Sequence, residues 1–165
     1  MQNTDDTKSY NRSKSTHFTE LNGDLNQLHG GLKPVGIGTV FLADAVTMGN
    51  GYLNLNSFRF IGKGLKNESG GIKILENVSR IIITGQVFTY RTPETHYDWW
   101  QIEQSKNKVS VSISATSVGY TTTVFSPVVC NTKAGDLIQL SHLMEEKDWQ
   151  VRADYNTYLT VTAYE

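Results

Sequence analysis

The sequence predicts an all-β fold, an antiparallel β-sandwich of the jelly-roll type, behind a short N-terminal helical stalk. Three observations predict it. Lys108–Thr116, KVSVSISAT, and Thr157–Tyr164, TYLTVTAY, alternate apolar and hydroxylated or aromatic residues with a period of two. Turn-forming clusters recur at short intervals: Gly49-Asn50-Gly51, Ser69-Gly70-Gly71, Lys106-Asn107, Lys133-Ala134-Gly135-Asp136 and Glu145-Glu146-Lys147-Asp148. After residue 33 no segment has a convincing helical period, so the crossover helices of a parallel sheet have no place.

Taken in order, residues 1–16 are almost wholly polar and read as a flexible tail, too poor in apolar surface to offset the entropy of ordering. In residues 17–33, Phe18, Leu21, Leu25, Leu28 and Leu32 are spaced 3, 4, 3 and 4 apart, the a/d pattern of a heptad repeat. Thr16 or Thr19 can cap this helix, and Gly30-Gly31 ends it. Two readings fit: an amphipathic helix lying on its own domain, or a short parallel coiled coil gathering several chains. Lys33-Pro34 breaks the helix and opens the head domain, residues 34–165.

Within the head, Arg80–Tyr90 is a long strand. Its Ile81-Ile82-Ile83 run suggests burial on both faces, and Gly85 marks a bulge or a close backbone approach. Further strands are expected over Val35–Leu42, Tyr52–Ile61, Gly71–Leu75, Tyr97–Glu103, Tyr120–Val129, Asp136–Met144 and Trp149–Ala153.

Composition excludes several functions. Fifteen Lys and Arg against sixteen Asp and Glu leave a net charge of −1, which argues against a broad nucleic-acid-binding face. One cysteine, Cys130, rules out an internal disulfide framework and reads as a small packed hydrophobe. His17, His29, His96 and His142 show no metal-ligand spacing, so no metal or cofactor is expected. No apolar run is long enough to insert in a membrane, and the N-terminus does not read as a signal peptide. Three sequons, at Asn11, Asn67 and Asn77, are read as chance in so Ser/Thr-rich a chain.

No catalytic set stands out. His96 with Asp98 is the nearest to an acid–base pair, and Asp98 with Glu103 the nearest to the two carboxylates of a carbohydrate-active enzyme on a β-sandwich. The densest chemistry lies in Thr89–Glu103, TYRTPETHYDWWQIE. Tyr90, His96, Tyr97, Trp99 and Trp100 are candidate ligand-binding residues, because aromatic rings give rigid contact area to a sugar or a partner. Adjacent tryptophans on a strand face opposite ways, so one belongs to the core; the expectation is that Trp99 points in and Trp100 out.

The second half of the chain resembles the C1q/TNF-like jelly-roll superfamily, especially the versions found in phage structural proteins. Arg80–Tyr90 resembles its long central strand, and Lys108–Ala115 the core strand after it. Val128–Leu140, VVCNTKAGDLIQL, is similar to its strand, Gly-Asp turn and apolar alternation. Thr157–Glu165 is similar to its closing strand. Residues 35–75 match only loosely. The resemblance implies a compact homotrimer with an apolar face near the axis and a stalk that can itself be trimeric. Together these features predict a non-enzymatic virion adhesion protein, a fibre, baseplate or head-decoration component. Its tail would dock on other virion proteins and its head would meet a host-surface saccharide or protein. The alternatives are a cellular C1q/TNF-like interaction domain and, behind it, the β-sandwich enzyme.

Overall fold

In a computed structural model, the described residues are 32–91, 96–116, 119–143, 149–153 and 156–165. The side chains of Met48, Arg91, His96, Ser114, Ala115, Thr116 and Trp149 are outside the description. Thirteen strands form among the described residues: β1 Pro34–Phe41, β2 Val46–Met48, β3 Gly51–Tyr52, β4 Ser57–Gly62, β5 Leu65–Glu68, β6 Gly71–Ile74, β7 Arg80–Arg91, β8 His96–Gln104, β9 Asn107–Thr116, β10 Gly119–Asn131, β11 Leu137–His142, β12 Trp149–Val151 and β13 Tyr158–Tyr164. Every pairing is antiparallel. Of the heptad positions, Phe18, Leu21, Leu25 and Leu28 lie outside the described residues. Leu32 is half-buried and has no regular secondary structure.

The first sheet runs β2-β12-β7-β13-β1-β4, with β10 on the other side of β7. The second runs β5-β6-β11-β8-β9, with β3 beside β11. Their inner faces make one core. Val40, Ile81, Ile83, Val87, Leu159 and Val161 come from the first sheet, and Ile72, Ile74, Trp100, Ile102, Ile138 and Leu140 from the second. The two-residue turns explain the hairpins. Ser69 (φ 50°) and Gly70 (φ 71°) join β5 to β6, and Ser105 (φ 49°) and Lys106 (φ 70°) join β8 to β9. Two successive positive φ values match the right-handed twist of the flanking strands.

Three local differences from the sequence reading have physical causes. The expected strand Tyr52–Ile61 is broken into β3 and β4. Between them Leu53 and Leu55 are buried, with backbone N–H groups donating to Leu140 O and Gly70 O instead of a regular ladder. The isoleucine run of β7 is not buried on both faces: Ile81 and Ile83 are in the core, whereas Ile82 is half-exposed. The apolar row of β9 also divides. A register shift at Ile102/Glu103 lets Val109 pack on the core, while Val111 and Ile113 face solvent. At Gly85 the close approach is present. Strand β10 bulges between Phe125 and Val128 opposite it, and a Cβ there would meet Tyr158 O at 3.2 Å.

Candidate functional site

Strand β8 decides what the aromatic segment can do. Its even positions Asp98, Trp100 and Ile102 point inward, and its odd positions Tyr97, Trp99 and Gln101 point outward. Trp100 is 0% exposed, while Trp99 is 42% and Tyr97 63% exposed. The expected assignment of the two tryptophans is therefore reversed, and Trp100 is a core residue with no ligand-facing surface. Ile102 sets the parity: an aliphatic residue two positions on takes its even neighbours into the core. Tyr90 is not part of the same face. It lies on the outer side of the first sheet, its ring 4.8 Å from that of Tyr120, which also stacks on Phe88 at 5.4 Å. The His96 backbone pairs with Thr116, but its side chain, like residues 92–95, lies outside the description.

Behind the tryptophans is a buried polar network that the sequence reading missed. Asp98 Oδ1 is 3.0 Å from His142 Nε2, and Asp98 Oδ2 accepts from Thr89 Oγ1 at 3.0 Å. His142 Nδ1 is 3.1 Å from Gly49 O, and the imidazole packs 4.5 Å from the Trp100 ring. A carbonyl only accepts, so Nδ1 carries a proton there. Asp98 is thus partnered by His142, forty-four residues away in the chain. Both groups are fully buried, so the pair holds the Gly49 loop and the two sheets together and offers no exposed acid or base.

Two further carboxylates are held by donors. Glu103, on the outer side of the second sheet, accepts from Tyr52 Oη at 2.6 Å, Ser141 Oγ at 2.7 Å and Gln101 Nε2 at 2.5 Å. Burial pushes its carboxyl up, but the three hydrogen bonds outweigh it and the net shift is downward. Tyr52, donating to that anion, is raised. Asp136, in the turn before β11, accepts from Gln104, Ser105, Thr132 and the Lys133 N–H. Burial raises it, and these four donors bring it below its ordinary value. Asp98 faces inward and Glu103 outward on β8, so they do not flank one cleft as a glycosidase pair must. Cys130 packs against the core, and burial pushes its thiol up. Among the described residues no group of His, Cys, Asp and Glu could hold a metal ion. No helix among them is long and apolar enough to cross a membrane.

The outer face of the first sheet is the larger feature. Register places Ile61, Ile37, Thr162, Ile82 and Val129 in one row across β4, β1, β13, β7 and β10. Phe41, Tyr158, Gln86 and Val124 form a second row, and Tyr90 and Tyr120 close the far end. None of these residues is charged, and Ile37, Ile61, Tyr120, Val124 and Val129 are exposed; the row between them, Arg59, Thr39, Thr160 and Thr84, has its one charge at the β4 end, and the Arg152 guanidinium lies 5.9 Å from the Tyr120 ring. A groove of about 540 Å³ crosses this face between Thr39, Phe41, Phe58, Arg59, Tyr158 and Thr160.

No family model and no curated protein matches the chain. Solved structures do. The TNF protein Eiger of S. frugiperda superposes with a TM-score of 0.64 at 6% identity, over 79% of this chain and 92% of that one. Murine APRIL superposes with a TM-score of 0.56 at 13% identity, over 79% of this chain and 99% of that one. The fold is a TNF-like jelly roll. At these identities the likeness is one of fold. The TNF-like sandwich therefore carries two outward faces of different character: one on the first sheet that is poor in charge, with Arg59 on its outermost strand, and one on the second where Tyr97 and Trp99 adjoin hydrogen-bonded polar groups.

Proposed function

We propose that the chain is a non-enzymatic interaction head that works as a homotrimer, built into a virus particle through its N-terminal tail and presenting its outer loops and strands to a host-surface ligand. The observation that carries self-association is the charge-poor face of the first sheet, whose central rows on β1, β13, β7 and β10 hold no charged residue. A chain with thirty-one charged residues that places none along the central rows of four adjacent strands has a surface depleted as interface centres are. Strand β10 supports it: this edge strand exposes Tyr120, Val124 and Val129 beside a sheet face of the same kind, so edge and face can meet heterologously and close a ring. The placement on a virion rests on the order of the sequence, with a polar tail, a heptad stretch and a β-head. The attachment role rests on avidity, since three heads on one axis multiply a weak contact.

A cellular TNF-like interaction domain is the second reading, favoured by the fold of the Eiger and APRIL structures. Both readings share the trimer. The test is sedimentation of the full chain beside V124E and V129E. Wild-type protein is expected at about 55 kDa, three times 18.5 kDa, and each variant at lower mass with an unchanged fold by circular dichroism. Variants that keep the wild-type mass would remove this face from the interface.

A further inference from the structure

We propose that the outer face of the second sheet is a binding site for an uncharged saccharide, with Trp99 and Tyr97 as the stacking platform and Gln101 and Tyr52 as the hydrogen-bonding edge. The proposal rests on the reading of the chain as an adhesion head, but not on its trimeric state.

The face is built in register. Trp99 lies opposite Ile113, and Gln101 opposite Val111 on one side and Ser141 on the other. Ser141 is in turn opposite Tyr52. Same-face neighbours along a strand are about 7 Å apart and adjacent strands about 4.8 Å apart. The indole of Trp99 thus has an amide about 7 Å away along β8, with a phenol two strands beyond that amide. From Tyr97 to Gln101 the row runs about 14 Å, the scale of a short oligosaccharide.

The chemistry selects among ligands. Sugars combine apolar ring faces with a rim of hydroxyls, so they match a rigid aromatic surface beside polar groups. Here the polar groups are fixed in advance. Glu103 is 7% exposed and accepts hydrogen bonds from the Tyr52 hydroxyl, one Gln101 N–H and the Ser141 hydroxyl. The lone pairs of the Tyr52 oxygen and the Gln101 carbonyl remain to accept hydrogen bonds, which suits hydroxyl donors. Beside the platform the charges are the Glu103 carboxylate and, opposite it in the register, the Lys108 ammonium; at the far end of the same sheet face Glu68 is ion-paired with Lys66 and Lys73. The pair beside the platform cancels, so neither a sialylated nor a sulfated glycan gains an electrostatic advantage there. A purely apolar protein partner would bury the Gln101 and Tyr52 groups without replacing their water, at a cost that a sugar avoids.

The test is a glycan array and titration with the full chain. The probes are neutral hexasaccharides of glucose, galactose and N-acetylglucosamine, with sialylated and sulfated counterparts. W99A and Q101A are tested in parallel, and every sample is sedimented. The expected result is retention of at least one neutral glycan with a shift of tryptophan fluorescence, a loss of tenfold or more in W99A, a smaller loss in Q101A, and unchanged sedimentation. Retention of no neutral glycan, retention of charged glycans only, or equal retention by W99A would overturn the proposal. So would a drop in mass in W99A, which would make this face a subunit contact. A monomeric wild type that still holds neutral glycans would defeat the trimer and leave the saccharide site standing.

Discussion

Replacing Trp100 separates packing from hydrogen bonding at the centre of the sandwich. Its indole is fully buried, and Nε1 has no hydrogen-bond partner among the described residues. A tryptophan side chain buries roughly 150–250 Å², worth about 4–6 kcal/mol at ~25 cal/mol per Å². Leaving a buried N–H unpaired costs about 1–3 kcal/mol, and Trp100→Ala removes that cost along with the ring. The net loss expected for W100A is therefore about 3 kcal/mol, at the lower end of the usual range for such truncations. Trp100→Phe keeps an aromatic ring against His142 and deletes the unpaired N–H, so its stability is expected within about 1 kcal/mol of wild type. Trp99→Ala, on the exposed face, is expected to cost under about 1 kcal/mol. Equilibrium denaturation of the three variants measures all of these. A W100F loss or a W99A loss equal to that of W100A would refute the reasoning.

Three more outcomes follow from the same structure. Asp98→Ala strips the buried His142 imidazole and Thr89 hydroxyl of their acceptor and should cost about 3–5 kcal/mol; a double cycle with His142→Ala, read by denaturation, should show strong coupling, and simple additivity would show that the pair does not interact. Glu103 and Asp136 are held below their ordinary values when folded, so their contribution is complete above the unfolded carboxylate range of about 3.9–4.3 and disappears as pH falls through the lower folded values. Denaturation midpoints should therefore fall on acidification below about pH 4, and less steeply in E103Q and D136N; slopes identical to wild type would contradict the assignment. At Gly38 an added Cβ would sit 2.3 Å from the Phe60 ring, so Gly38→Ala should cost about 1–3 kcal/mol, and Phe60→Leu should recover part of it in thermal melts.

How much of this was legible in the sequence depended on what each signal encodes. Alternation over Lys108–Thr116 and Thr157–Tyr164 gave the strands, because period two is a direct consequence of pleating. The Ser69-Gly70 turn was legible because a two-residue hairpin needs positive φ. Two short strands were not: β2 has three residues, and β5, LKNE, is mostly polar. They form because neighbouring strands supply the pairing, a tertiary cause with no local trace. The face of the tryptophans was written in Ile102 and Gln101, which share parity with Trp100 and Trp99 respectively, but adjacent large aromatics obscured it. The outward apolar row of β9 misleads in the same way, since alternation shows two faces without showing which is inside. The Asp98–His142 pair was beyond reach because it depends on β8 and β11 lying side by side, a contact between distant segments.

The central claim is that the charge-poor face of the first sheet is covered by another copy of this chain. Sedimentation equilibrium of the unmodified full chain at micromolar concentration tests it most directly. The account predicts one species of about 55 kDa, three times 18.5 kDa; a single species of 18.5 kDa would contradict it.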